Sequence, residues 1–479
     1  MNPFVGRKFE LERLHDVNQR NQGCLTVITG RRRIGKSRLI EEFAKNKTFL
    51  SFSGLAPIKG VTAQDQRDAF ARQFAEHFKL PPFFFKDWSD GFAHLSNYLT
   101  SETTVILFDE ISWMGTKDPT FLPKLKVFWD LVLQKKSNVM LILCGSVSTW
   151  IEKNIINSTA FFGRISLHLV LKELSLSEAS EFLKLIGFQF SVYDTFKILS
   201  VTGGVPWYLE QIIPSQTADE NLKHLCFEKK GLFVEEFDHI FHDLFRRKGL
   251  IYKKIIHALS DGMKDLDQIR SILKYSSGGT LSKHIKILIT SGFVTQHADW
   301  SLKTGKLKRQ SLYRLSDNYL RFYIKYIEPN LQKIESGNYQ EMTLSALPGW
   351  EAMLGIQVEN LILNNRHLIL KALGISPEEI VMDNPYIQHK TTRQAGCQID
   401  YLIQTHANNL FVCEFKFQRR EIQTEIIESI SEKIKRFSVP KGFGVSPVLI
   451  HLGGISNSVH EKRFFYRIID MTDFLKSSS

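Results

Sequence analysis

The 479-residue sequence predicts an α/β protein: a parallel sheet with helices on both faces, then helical segments, then a second and smaller α/β domain. Three observations lead there. Short apolar, β-branched runs at 25–29, 105–108 and 139–144 read as strands buried on both faces. Helical patterns separate them, which is the alternation a parallel sheet needs. The first run ends in a glycine-rich turn that opens directly into a helix.

That turn carries the chemistry of the N-terminal part. Strand 25–29 leads into Gly30, Arg31, Arg32, Arg33, Ile34, Gly35, Lys36 and Ser37, the spacing GxxxxGKS, followed by the helical pattern RLIEEFAKN. The glycines let the backbone curl until its N–H groups converge on a phosphate, and the helix N-terminus adds its positive dipole end. Lys36 reaches the outer phosphates, and the Ser37 hydroxyl is placed for Mg²⁺. The expected ligand is ATP with Mg²⁺, bound in a P-loop.

The run at 105–108 ends in Asp109 and Glu110. After a P-loop, two acids there read as a Walker B pair: Asp109 orients the Mg²⁺ shell and Glu110 polarises the attacking water. The alternative is that they cap the following helix. The strand at 139–144 runs into Gly145 and Ser146, and Ser146 is placed to sense a γ-phosphate. Further strands at 48–52 and 165–171 complete a P-loop sheet with the nucleotide at its carboxyl edge.

Several separated motifs then occur in order: Phe4-Val5-Gly6-Arg7, the P-loop, Asp109-Glu110, Phe162-Gly163-Arg164, and Gly203-Gly204-Val205-Pro206-Trp207. Together they resemble the archaeal-type ATPases of the AAA+/STAND group over about the first 245 residues. The resemblance implies that Arg164 reports on nucleotide state and that Pro206 opens a helix touching the adenine side of the pocket. A surface arginine and a plain turn before a helix are the alternatives for these two.

A chain of this length exceeds one hydrophobic core. The expected segments are an ATPase core at 1–174, a helical lid at 175–247, a winged helix at 248–325, a connecting helical segment at 326–349 and a C-terminal domain at 350–479. The winged helix rests on three helical stretches from Leu250 onward and two strand-like pieces at 293–297 and 311–315. Its third helix carries Ser282, Lys283, His284 and Lys286, and its wing carries Lys303, Lys306, Lys308 and Arg309. Such a module either contacts DNA phosphates or serves as a packing spacer. The aromatic stretch at 317–330 reads as core or as a domain interface.

In the C-terminal domain, the run at 411–417 places Phe411, Cys413, Phe415 and Phe417 on one face and Val412, Glu414 and Lys416 on the other. Asp400 lies opposite the apolar set Ile399, Tyr401 and Ile403. A hairpin would bring Asp400, Glu414 and Lys416 together, with Glu359 arriving from an upstream helix. The pattern resembles the PD-(D/E)XK nuclease group and the nuclease-like domain that often follows archaeal-type ATPases, although the literal Pro-Asp pair is missing. It implies a restriction-endonuclease-like α/β fold. Asp400, Glu414 and Glu359 would hold a metal ion, and Lys416 would assist the attacking water. An ion pair on an exposed sheet face is the alternative. The amphipathic helix after Gln423 is expected to cover this sheet.

Composition bounds the rest. Hydrophobic residues at 43% and charged residues at 23% exclude a disordered chain. Five scattered cysteines without CxxC spacing read as free thiols in a reducing compartment. The N-terminus lacks the apolar core of a signal peptide and no run approaches a bilayer span, so the expected location is the cytoplasm with no membrane partner. The excess of 62 Lys and Arg over 50 Asp and Glu favours a polyanionic partner such as DNA, with nucleotide phosphates and solvated surface as the alternative uses of that charge. The expected function is an ATP-hydrolysing switch coupled to a DNA-directed, metal-dependent nuclease-like domain. The alternatives are a signalling or scaffold ATPase, self-associating or binding a protein, and a DNA-binding regulator whose C-terminal domain is inactive.

Overall fold

β1 (Cys24–Gly30) is buried along its whole length, and four further strands align parallel to it. These are β2 (Thr48–Ser53), β3 (Thr104–Asp109), β4 (Val139–Ser146) and β5 (Ile165–Leu171), in the order β2-β3-β4-β1-β5. All five lie where the apolar runs place them. One face packs an aromatic cluster that includes Phe52, Phe70, Phe74, Trp88 and Phe108. The other packs Ile28, Leu39, Phe43 and Ile142. Burial on both faces is why these strands read as continuous apolar runs. Because β4 lies between β3 and β1, the end of β3 at Asp109 and the end of β1 at Gly30 are one strand apart.

The computed structural model describes residues 3–56, 58–146, 149–245, 249–275, 279–339, 342–392 and 394–476. It divides into two compact units, Phe4–Glu173 and Leu174–Ser479. The segments expected as lid, winged helix, connecting helix and C-terminal domain all belong to the second unit.

In that unit a helical stretch that includes Leu176–Leu185, Val192–Thr202 and Leu232–Phe245 precedes helices Gly249–Ser260, Leu266–Leu273 and Thr280–Thr290. An antiparallel sheet follows: β6 (Lys264–Asp265), β7 (Val294–Trp300) and β8 (Leu307–Leu315), in the order β6-β8-β7. Two details differ from expectation. β8 begins at Leu307, so Lys308 and Arg309 lie in a strand rather than a loop, and Lys308 pairs with Asp299 at 3.0 Å. His284 is buried against the Tyr252 hydroxyl, leaving Ser282, Lys283 and Lys286 exposed on that helix.

The aromatic stretch that follows is core. The Asp317 carboxylate accepts from Leu320 N–H and caps helix Asn318–Phe322, whose Tyr319 and Phe322 are buried.

The C-terminal sheet contains β9 (Ile380–Gln388), β10 (Cys397–Thr405), β11 (Asn409–Phe417), β12 (Gly444–Leu452) and β13 (Arg467–Asp470), in the order β13-β12-β11-β10-β9. It is mixed: β9, β10 and β11 pair antiparallel, and β11, β12 and β13 pair parallel. Helix Glu425–Arg436 makes the parallel crossover from β11 to β12, burying Ile426, Ile427 and Ile430. Helix Trp350–Asn364 packs against β11 and against helix Val192–Thr202.

Candidate functional site

The glycine-rich turn adopts a backbone that its glycines make available. Gly35 has φ +86° at the N-terminus of helix Lys36–Ala44, and Arg33 is also left-handed at +68°. A Cβ on Gly30 would stand 2.9 Å from the Leu171 carbonyl oxygen, so the close approach of β5 requires glycine there. Lys36 is 8% exposed, and its Nζ donates to the carbonyls of Gly30 (3.3 Å) and Arg31 (3.1 Å), folding its charge back over the cradle. Arg31 is buried and pairs with Glu173 at 2.9 Å. Arg32 and Ile34 complete the loop, the latter fully buried.

Across β4, the Ser37 hydroxyl donates to Asp109 Oδ2 at 3.0 Å, joining the loop to the end of β3. The other Asp109 oxygen accepts from Glu110 N–H at 2.9 Å. Glu110 occupies the N-cap position of helix Ile111–Gly115, yet its side chain makes no capping bond. Burial pushes its carboxyl up, Lys36 opposes that, and Asp109 adds to it. The Ser146 backbone N–H hydrogen-bonds the same carboxylate, so Ser146 and Glu110 meet at the sheet edge.

Arg164 does not stand free. Its Nε and Nη2 donate to both oxygens of Asp130 at 2.6 and 2.9 Å, holding that carboxyl down at about 2. Pro206 is the first residue of the short helix Pro206–Leu209 in the second unit.

The sequence reading passed over two residues of this site. Arg7 is 5% exposed, and its Nη2 donates to the carbonyls of Ile34 (3.1 Å) and Lys172 (2.6 Å), bracing the turn from beneath. Cys144 lies close enough to hydrogen-bond Asp109, and burial raises its thiol well above the usual range. The signal for Arg7 was its place after Gly6 in an N-terminal motif. Cys144 looked like any other apolar strand residue.

In the C-terminal sheet, Tyr401 pairs with Cys413, which sets Asp400 beside Glu414 on adjacent strands. Asp400 Oδ2 accepts from Phe415 N–H at 3.0 Å. Glu414 is 5% exposed and accepts from Lys416 Nζ at 3.0 Å. Its other oxygen accepts from Lys433, whose Nζ also lies 3.9 Å from Asp400. Burial pushes Asp400 up, reinforced by Glu414 and opposed by Lys433. Glu359 is pushed up by burial and then by the charge of Asp400, while Arg314 and Arg321 pull it down. Asp400, Glu414 and Lys416 therefore converge, and Glu359 lies within their electrostatic reach. Among the described residues no group of three or more His, Cys, Asp or Glu is arranged to hold a metal ion. Lys433 comes from helix Glu425–Arg436, which is expected to cover the sheet, with a polar or basic residue beside the site as the alternative. Gln423 turns instead to Glu421 at 2.9 Å.

Sheet order, glycine cradle and paired acids together define a P-loop ATPase domain. Residues 4–212 match the family described as an ATPase domain predominantly from Archaea. An uncharacterised protein of Methanocaldococcus jannaschii is 26% identical over 341 residues, which is 70% of this chain and 71% of that protein. An uncharacterised ATP-binding protein of the same organism is 48% identical over 44 residues, 9% of this chain and 75% of that one. Among solved structures, a Walker-type ATPase of Pyrococcus abyssi aligns with a TM-score of 0.50 at 18% identity, covering 67% of this chain and 96% of its own. That likeness speaks to the fold alone. No helix among the described residues is long and apolar enough to cross a membrane.

Proposed function

We propose that this chain is an ATP-binding and ATP-hydrolysing switch whose C-terminal site acts on the phosphodiester bonds of DNA. The observation that carries the first half is the contact between Ser37 Oγ and Asp109 Oδ2, beside a lysine folded over the loop carbonyls. Two hard oxygens side by side at the mouth of a phosphate cradle are a donor set suited to Mg²⁺. Ser37 and Asp109 would hold that ion, which supplies charge neutralisation at the phosphates. Lys36 grips the outer phosphates, and Ser146 lies where a γ-phosphate is sensed. Glu110 accepts the proton of the attacking water, and its buried, upward-shifted carboxyl is tuned in the direction a general base needs. The ATP-binding relative supports this reading. Arg164, once released from Asp130, would report on the nucleotide.

The second half rests on the cluster of Asp400, Glu414 and Lys416 beneath Glu359. Lys433 already places a cation against both carboxylates, so the donor set accepts positive charge there. Asp400 and Glu414, adjacent on neighbouring strands, would hold a divalent ion as a pair, with Glu359 contributing charge rather than a third ligand, and that ion would supply water activation. Lys416 steadies the negative charge that builds at phosphorus. The same Lys433 contact favours a second reading, a DNA-binding regulator in which the lysine is a permanent counter-ion and no bond is cut.

Both halves have direct tests. Lys36→Ala abolishes the heat of Mg·ATP binding, while Glu110→Gln still binds but turns over about 10²- to 10⁴-fold more slowly. Single-stranded, duplex and branched DNA are cut by the wild type with Mn²⁺ or Mg²⁺, and Asp400→Ala and Lys416→Ala abolish cutting. If the wild type leaves all three uncut with and without ATP, the cleavage half fails. Salt-dependent DNA affinity that survives in both variants without cutting establishes the regulator.

A further inference from the structure

The second unit encloses a cavity of about 990 Å³, walled by helix Trp350–Asn364, by β8 and the segment after it, and by the end of helix Gly249–Ser260. Its lining contains Glu359 and two arginines, whose charge pulls on that carboxylate but whose hydrogen-bonding groups the chemistry above does not use. Arg314 is 5% exposed and Arg321 4% exposed, and both line the cavity. Arg314 donates from Nε to His297 and from Nη2 to Asn364 Oδ1. Arg321 donates from Nη1 to Gln357 Oε1 and from Nη2 to the Leu315 carbonyl. Every one of these partners is neutral. Arg314 Nη1 and Arg321 Nε have no hydrogen-bond partner at all.

Two buried guanidinium groups that repel each other share only one nearby carboxylate among the described residues, Glu359, and neither hydrogen-bonds it, which is a costly arrangement. Burial brings Arg314 down to about 9, with the charge of Arg321 adding to the shift and Glu359 opposing it, and brings Arg321 down to about 10 against the opposing charges of Glu359 and Asp317. A third unsatisfied atom, Asn360 Oδ1, belongs to the same lining and offers an acceptor. Lys325 and Lys333 are exposed members of the lining and outweigh the one exposed acid, Asp261, so its solvent side is net positive. The volume is that of a pocket for a small organic ligand.

We propose that this cavity binds a phosphate-bearing ligand about one nucleotide in size, its phosphate held by Arg314 and Arg321 and a hydroxyl or amino donor by Asn360. Guanidinium groups suit a phosphate because their planar forks match its oxygens. The ligand is either a free nucleotide or the 5′-phosphorylated end of a nucleic-acid strand, which share this chemistry. The cavity shares Glu359 with the cluster at Asp400, but binding there requires neither the P-loop nor any cleavage.

The test uses the full chain carrying Lys36→Ala, so that the P-loop contributes no signal. It is titrated by calorimetry with the four ribonucleoside 5′-monophosphates, and separately with a single-stranded oligonucleotide with and without a 5′-phosphate. A monophosphate that binds identifies a free nucleotide as the ligand. Binding confined to the 5′-phosphorylated oligonucleotide identifies a strand end. In either case Lys325→Glu with Lys333→Glu weakens binding tenfold or more. Ile356→Trp, which enlarges a half-exposed residue of the lining, blocks it, while circular dichroism shows both variants folded. Arg314→Gln is expected to act in the same direction. No binding by any phosphorylated probe, or an affinity unchanged in the Ile356→Trp and lysine variants, overturns the proposal.

Discussion

His297 shows how a single buried group ties the stability of the second unit to pH. Its Nε2 accepts from Arg314 Nε at 3.1 Å, so its Nδ1 carries the proton and donates to Asn384 Oδ1 at 3.0 Å. Only the neutral ring can do both. Burial, with Arg314 adding to it, lowers this histidine from its usual value to about 3. The folded pKa is depressed, so the stabilisation is complete above about 6.5. It is lost as pH falls toward 3, because the unfolded chain takes up a proton that the folded chain refuses. Urea unfolding across pH 7 to 4 is therefore expected to lose stability at a slope steeper in wild type than in His297→Gln by roughly 1.4 kcal/mol per pH unit. Asp400 and Glu359, both pushed upward, bias the fold the opposite way in both proteins, so the difference isolates the histidine. Equal slopes would mean that the ring is protonated in the fold. At this scale Lys36 and Ser37 were legible because fixed spacing encodes the cradle. His297 and Lys433 were not, because their partners lie 87 and 19 residues away in the chain.

Among the elements, the phosphate turn depends on a neighbour as well as on its own glycines. Arg7 stands at the left-handed start of helix Lys8–Asn18 and satisfies two carbonyls, the buried one of Ile34 in the turn itself and the part-buried one of Lys172. Replacing it with Met keeps the aliphatic bulk but strands both acceptors, which costs about 1–3 kcal/mol. Arg7→Met is expected to lower the stability of the N-terminal unit by that amount and to weaken Mg·ATP binding, whereas Arg7→Lys restores part of both. Calorimetric affinity unchanged in the Met variant would show that the turn holds its shape unaided. Strands β1, β3 and β4 were readable because each is buried on both faces. The first half of β8 was not, since Leu307 to Gln310 are exposed and polar enough to pass for a loop, and pairing with β7 is what extends them.

For the whole molecule, two units with their own apolar cores imply unfolding that is not two-state. Differential scanning calorimetry is expected to resolve two transitions, with Mg·ATP raising the one that belongs to Phe4–Glu173. At a ligand concentration of 100 times Kd the gain is about 2.7 kcal/mol. A single transition, or the same shift in Lys36→Ala, contradicts this. By itself the sequence determined the parallel sheet, the phosphate turn with its acids, and the alternation that brings Asp400, Glu414 and Lys416 to one face. Each of these is a local pattern in which spacing and burial period fix what neighbours do. Tertiary structure alone decided that Lys433 closes on the C-terminal carboxylates, that Arg164 is held by Asp130, and that Arg314 and Arg321 share one cavity. Contacts between residues far apart in the chain depend on how whole elements pack, and no short stretch of sequence carries that information.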